Sequence, residues 1–167
     1  PEPLTTFGLD YLTVTNNELI DITVSSDSPH LISEIELWRS ESAGSPASRI
    51  STFAWEAMSP EMFSDITAQV NETSYYYYVV ALDACGFELE ASNTARSIYL
   101  QISDLGNDEY RLSWNNYEDW GANLLEYSIY RIADGVVEPG WPVTVPPSVN
   151  TLNDFAGDLT ANRTTYY

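Results

Sequence analysis

The chain has 167 residues, of which 44% are hydrophobic and 13% aromatic, a composition that can bury a core and is not that of a disordered chain. Its 25 acidic residues face six basic ones, all arginine, for a formal net charge of -19. A chain of that sign repels phosphate backbones and anionic bilayers, which sets aside nucleic-acid binding and attachment to membrane surfaces. No stretch approaches the roughly 20 apolar residues of a membrane-spanning helix, so no membrane insertion is expected.

Taken in order, the chain reads as short strands. Runs of β-branched and aromatic residues recur between turn residues about every eight to twelve positions, while helical periodicity is nearly absent. In "ELIDITVSSDS", Ile20, Ile22 and Val24 alternate with polar neighbours, the pattern of a strand with one buried face. "DSPHLISEIE" places the only histidine, His30, in a loop before the next strand, "EIELWRSES", which ends in Arg39. "FSDITAQVNETS" then leads through a turn-rich segment into four consecutive tyrosines, Tyr75 to Tyr78. Beyond the polar stretch Ser92 to Ser97 a new strand is predicted over 98–103. "DEYRLSWNNYE" follows, alternating Tyr110, Leu112 and Trp114.

From there the chain repeats itself. "YSIYRIADG" matches "EIELWRSES", with Arg131 at the place of Arg39, and "LNDFAGDLTANRTTYY" matches "FSDITAQVNETSYYYY", aligning Asp154 with Asp65. The offset is about ninety residues, the size of one immunoglobulin-like sandwich domain. The expected fold is therefore all-β, with two tandem immunoglobulin-like β-sandwiches over residues 1–96 and 97–167. The second reads as incomplete at its C-terminal end, and a chain opening on Pro1 without a signal-like stretch reads as a piece of something longer.

Strand alternation assigns the tyrosines. Tyr75, Tyr77, Val79 and Ala81 share one face, and small Ala81 marks it as the inward one. Tyr75 is the candidate for a tyrosine corner, its hydroxyl bonding back to the preceding loop, with Tyr166 as its counterpart in the second copy; Trp114 is the core tryptophan of that copy. Tyr76 and Tyr78 face outward, beside Trp38 if the strands pair as in such sandwiches. Cross-strand aromatic pairing accounts for that stripe, and a contact surface for a partner protein or a glycan is the sharper alternative.

At these residues a family resemblance enters. Tyr75, Tyr77, Val79, Ala81, Gly86 and Ser92 fall on the strand pattern of fibronectin type III domains, which the first copy resembles. Three motifs, Asp83 to Glu88, Leu112 to Trp120 and Tyr127 to Arg131, resemble the tandem repeats of large adhesin-like surface proteins of gliding Bacteroidetes. That resemblance implies export by type IX secretion, an extracellular or cell-surface location, and neighbouring repeats of the same protein as partners.

Chemistry finds little footing. His30 has no nucleophile motif and no zinc-ligand spacing around it, and carboxylates are too abundant for any one pair to be assigned to glycoside hydrolysis. Asp104, Asp108 and Glu109 cluster around a glycine turn and are a weak calcium candidate; a hairpin turn explains them without metal. Cys85, the lone cysteine, is expected as a buried thiol. Trp55 and Trp141 lie in loop-like segments and, with Trp38, Tyr76 and Tyr78, are candidate contacts for a partner or glycan, although loop aromatics more often plug a core. The expected role is non-catalytic: a spacer, with adhesion as an added function. The alternative is an accessory carbohydrate-binding module of a secreted polysaccharide-degrading enzyme.

Overall fold

The computed structural model describes residues 4, 6–56, 59–118, 124–156 and 164–166. They form two compact units. The first takes in the chain up to Tyr99 together with Tyr117 and Glu118; the second takes in Leu100 to Asn116 and the described residues from Leu124 onward. Both are built from antiparallel strands, and the only helical element among the described residues is a single 3-10 turn, Pro29–Leu31.

In the first unit, β1 (Phe7–Thr15), β2 (Leu19–Ser26) and β5 (Glu61–Asp65) form one sheet in the order β1-β2-β5. The other sheet has β4 (Ser48–Ala54), β3 (Glu34–Ser40), β6 (Tyr76–Leu82) and β7 (Glu88–Ala91) in the order β4-β3-β6-β7, with the short β8 (Ala95–Arg96) also pairing with β6. This is the immunoglobulin-like sandwich, in which two antiparallel sheets close on one core. Alternation fills that core. Ile20, Ile22 and Val24 from one sheet and Ile35, Leu37, Tyr77 and Val79 from the other are fully buried. Each such side chain contributes roughly 1.5–3 kcal/mol relative to exposure.

The chain passes from β5 to β6 through a turn segment that ends at Tyr75. Tyr75 lies just before β6, buried, and its hydroxyl accepts a hydrogen bond from the backbone N–H of Gln69 at 3.2 Å. Tyr75→Phe is therefore expected to cost about 1 kcal/mol in denaturant melts. Tyr76→Phe, half-exposed, should stay within about 0.5 kcal/mol. Equal losses would contradict this assignment of faces.

Outside the core, β6 departs from the simple alternation at Val80. It lies on the outward face yet is buried, because β6 is a central strand and the neighbours opposite Val80, Glu36 and Ala91, stand on either side. The segment after β7 is tied down by side chains. Asn93 accepts a hydrogen bond from Leu9 N and donates one to Leu9 O, pairing with the backbone of β1 as a strand would, and Ser97 Oγ accepts one from Tyr75 N.

The second unit repeats this plan. β9 (Leu100–Gly106), β10 (Glu109–Trp114) and β15 (Thr151–Phe155) form a sheet in the order β15-β10-β9. Facing strands are β11 (Tyr127–Ile129) paired with β14 (Val143–Val145), and β12 (Arg131–Ala133) between β13 (Val136–Val137) and β16 (Thr164–Tyr166). Leu112, Trp114, Tyr127 and Ile129 are buried, and the Trp114 and Tyr127 rings meet edge to face at 5.8 Å. Trp114 thus occupies the core place that Val24 holds in the first unit.

The register corrects one correspondence. Tyr166 pairs with Arg131 as Tyr77 pairs with Arg39, so Tyr166 is the counterpart of Tyr77 and not of Tyr75. Thr164, two residues earlier, stands where the first unit has its corner tyrosine.

Candidate functional site

The most elaborate polar cluster in each unit is inward and structural. On the inward face of β3, Ile35 and Leu37 are followed by Arg39, whose Nη1 donates to Asp65 Oδ2 at 2.7 Å. The Tyr77 hydroxyl donates to the same oxygen at 2.8 Å, and Thr67 supplies its N–H and hydroxyl to Oδ1 at 2.9 and 2.7 Å. The Arg39 guanidinium also lies over the Tyr75 ring, 4.7 Å from its centroid. Burial alone would raise the Asp65 pKa, but the hydrogen bonds from Thr67, Tyr77 and Arg39 outweigh it and hold the carboxyl below its ordinary value.

In the second unit the same cluster recurs from Arg131, Asp154 and Tyr166. Arg131 Nη1 donates to both carboxylate oxygens of Asp154 at 3.0 and 2.9 Å, and the Tyr166 hydroxyl donates to Oδ2 at 2.7 Å. Here Trp141 takes over the ring's part: Arg131 lies 5.3 Å from its centroid, and Tyr166 meets it edge to face at 6.0 Å. Each cluster ties three strands together. The repeat displays these arginines and aspartates at matching places, but nothing in their spacing pairs them. The available signal was parity: each arginine continues an inward apolar alternation, where an unpaired charge is costly.

The outward candidates of the first unit do come together. Trp38 pairs with Tyr78 across β3 and β6, and their rings stack with centroids 5.9 Å apart and planes 9° apart. Trp38 Nε1 donates to Glu36 Oε2 at 3.1 Å, and Glu36 also pairs with Arg49. Burial raises the Tyr78 pKa above its ordinary value, and the carboxylates of Glu88 and Glu36 push it the same way. One step along β6, the Tyr76 hydroxyl donates to Glu118 Oε1 at 3.0 Å while Arg96 lies 5.0 Å over the Tyr76 ring and donates to that same oxygen at 3.1 Å. Beside these rings is an open groove of about 420 Å³, lined by Tyr76, Tyr78, Glu118 and the turn residues Ala43, Gly44 and Ser45 among others.

The other candidates are placed differently. Trp55 is not a loop platform: it is 7% exposed and packs on Phe63 in the core, because its backbone N–H is tied to Ser33 O just after β4 and its ring meets that of Phe63 on β5 at 6.0 Å. Trp141 is half-buried, and its ring is engaged by Arg131 and Tyr166. Cys85 is exposed, contrary to expectation. It sits in the β6–β7 turn, where Asp83 Oδ1 accepts hydrogen bonds from the N–H groups of Cys85 and Phe87 and Gly86 takes a left-handed φ of 78°. His30 is exposed in the 3-10 turn.

The acidic turn joins β9 to β10. Asp104 Oδ1 accepts a hydrogen bond from Gly106 N at 2.7 Å, and Gly106, Asn107 and Asp108 take positive φ, so tight hairpin geometry accounts for Asp104 and Asp108. Glu109, the first residue of β10, accepts from Asn153 on β15. Among the described residues no three His, Cys, Asp or Glu side chains are grouped as a metal would need.

No family model matches this chain, and no curated protein does. Among solved structures it is similar to the crystal structure of chicken CNTN1 FN1-FN3 domains, at 15% identity and a TM-score of 0.41. That match covers 98% of this chain and 60% of the other, so the chain spans less than two thirds of the structure it matches.

Proposed function

We propose that this chain is a non-catalytic repeat region of an exported cell-surface protein, serving as a spacer that presents the Trp38–Tyr78 face for contact. The observation that carries this reading is the recurrence of one buried Arg–Asp–Tyr cluster at matching strand positions in both units. Perturbed titratable groups gathered around a cavity would speak for catalysis. Here the strongly shifted phenols, Tyr77 and Tyr166, are buried and committed to tying strands.

The rival reading, a carbohydrate-binding accessory module, is left with the Trp38–Tyr78 stack as its platform, since Trp55 is buried and Trp141 is engaged by Arg131. A glycan array separates the two. The spacer reading expects no sugar whose binding depends on Trp38; a sugar bound reproducibly by the native chain and lost in Trp38→Ala would put the carbohydrate module in its place. Export is tested by antibody labelling of intact against permeabilised source cells. Signal on intact cells is expected, and signal confined to permeabilised cells contradicts it.

A further inference from the structure

Among the described residues, β11 of the second unit lacks a neighbour that the first unit has. Tyr166 faces Arg131 as Tyr77 faces Arg39, and in the first unit the ladder runs on, with Val79 facing Leu37 and Ala81 facing Ile35. The residues matching Leu37 and Ile35 are Ile129 and Tyr127 in β11, which pairs with β14 on one side and, among the described residues, with no strand on the other. The apolar face nearby is uncovered as well. Leu112 and Ile22 hold matching places, and the residues paired with them, Ile102 and Leu12, point inward with them. Leu12 is 9% exposed, whereas Ile102 is 51% exposed. The difference is cover: β1 packs against β6, β7 and β8, and β7 and β8 have no counterpart among the described residues of the second unit. Leu125, two residues before β11, is 84% exposed.

We propose that the second unit takes up an extended segment of a partner polypeptide along this open side of β11, antiparallel to β11 and in line with β16. The occupant's chemistry follows from the place it fills. Residues beside Ile129 and Tyr127 stand where the first unit has Val79 and Ala81 fully buried, so the segment alternates small apolar side chains, turned inward, with polar ones facing out. Its backbone supplies the pairing that an edge strand otherwise leaves to water. A second copy of this chain does not fit that description. Its strand of this pattern, β6, is held between β3 and β7 in its own sheet, and two copies each carrying a net charge of -19 repel. This inference goes beyond the spacer reading and makes no use of the Trp38–Tyr78 face.

The test is a fluorescence-anisotropy titration of the whole chain with a labelled peptide that copies Tyr76–Ala91 and carries Cys85→Ser, followed by amide hydrogen exchange of the complex. Saturable binding is expected, with exchange slowed in β11. Ile102→Asn, which alters a half-exposed side chain, should weaken binding about tenfold or more, and so should Val79→Asn with Ala81→Asn in the peptide. A chain extended after Tyr167 by a copy of Val79–Arg96 should fill the site itself, slow the same amides and bind no peptide. No binding by the native chain would overturn the proposal, as would binding that leaves exchange in β11 unchanged. Peptide affinity equal to the native chain's in Ile102→Asn, or in the extended chain, would place the peptide elsewhere and overturn it too. Sedimentation supplies the remaining outcome: a native chain that is dimeric without peptide, with β11 already protected, would put a second copy in the partner's place.

Discussion

Replacing Asp65 with asparagine is expected to destabilise the first unit by about 3 kcal/mol or more. The carboxylate is buried and receives four hydrogen bonds, from Arg39, Tyr77 and Thr67. The amide keeps the shape, but its NH2 meets donors where an oxygen had accepted, and the inward-facing Arg39 guanidinium loses its counter-charge. Removing one partner of a buried pair costs about 3–5 kcal/mol, far more than an exposed pair contributes. Asp154→Asn should do the same to the second unit. Urea melts read together with amide hydrogen exchange check both, because exchange shows which unit's strands open. A loss below about 1 kcal/mol would mean that the cluster is not what joins β3, β5 and β6.

The same carboxylate sets an acid limit. Its folded pKa lies below the unfolded value of about 3.9, so the folded state binds fewer protons in that range. The stability it contributes is complete above that pH, and it is lost progressively as pH falls toward and through the depressed folded value. Stability should therefore decline below about pH 4, and Asp65→Asn should flatten part of that decline.

At the alkaline end the expected result is that Tyr77 and Tyr166 do not ionise while the protein is folded. Burial raises both phenols, and each donates to a carboxylate, Asp65 or Asp154, whose negative charge opposes a phenolate beside it. In the unfolded chain a tyrosine ionises near pH 10. Above about that pH the unfolded state has given up protons that the folded state keeps, so the stability tied to these two groups is complete below pH 10 and falls as pH rises further. Tyrosinate absorbance, followed with far-ultraviolet circular dichroism, should show exposed phenols titrating first. A final step should then coincide with loss of β-structure. If all twelve tyrosines ionise in one smooth curve with the fold intact, the cluster geometry is wrong.

Several features were legible in the sequence for a physical reason: strand alternation has a period of two, and a face is either buried or not. Ile20, Ile22 and Val24, the inward set Tyr75, Tyr77, Val79 and Ala81, and the pairing of Trp38 with Tyr78 all follow from that period once the strands are assigned. Trp114, Tyr127 and Ile129 follow from the repeat. The chain's acidity and the all-β class were likewise readable, because each is a sum over many residues and tolerates local error.

Other features were decided only in three dimensions. Whether Trp55 lay against the core or in solvent depended on its meeting Phe63 of β5, and Cys85 was exposed by a turn drawn tight through Asp83 and Gly86. Neither has a periodicity to read. The Arg–Asp–Tyr clusters show the division most plainly. Their members were visible as repeated letters, but Arg39 and Asp65 are 26 positions apart, and Arg131 and Asp154 are 23. Hydrogen bonds across such distances exist only once two sheets close, which is also why register, and not order along the chain, made Tyr166 the counterpart of Tyr77.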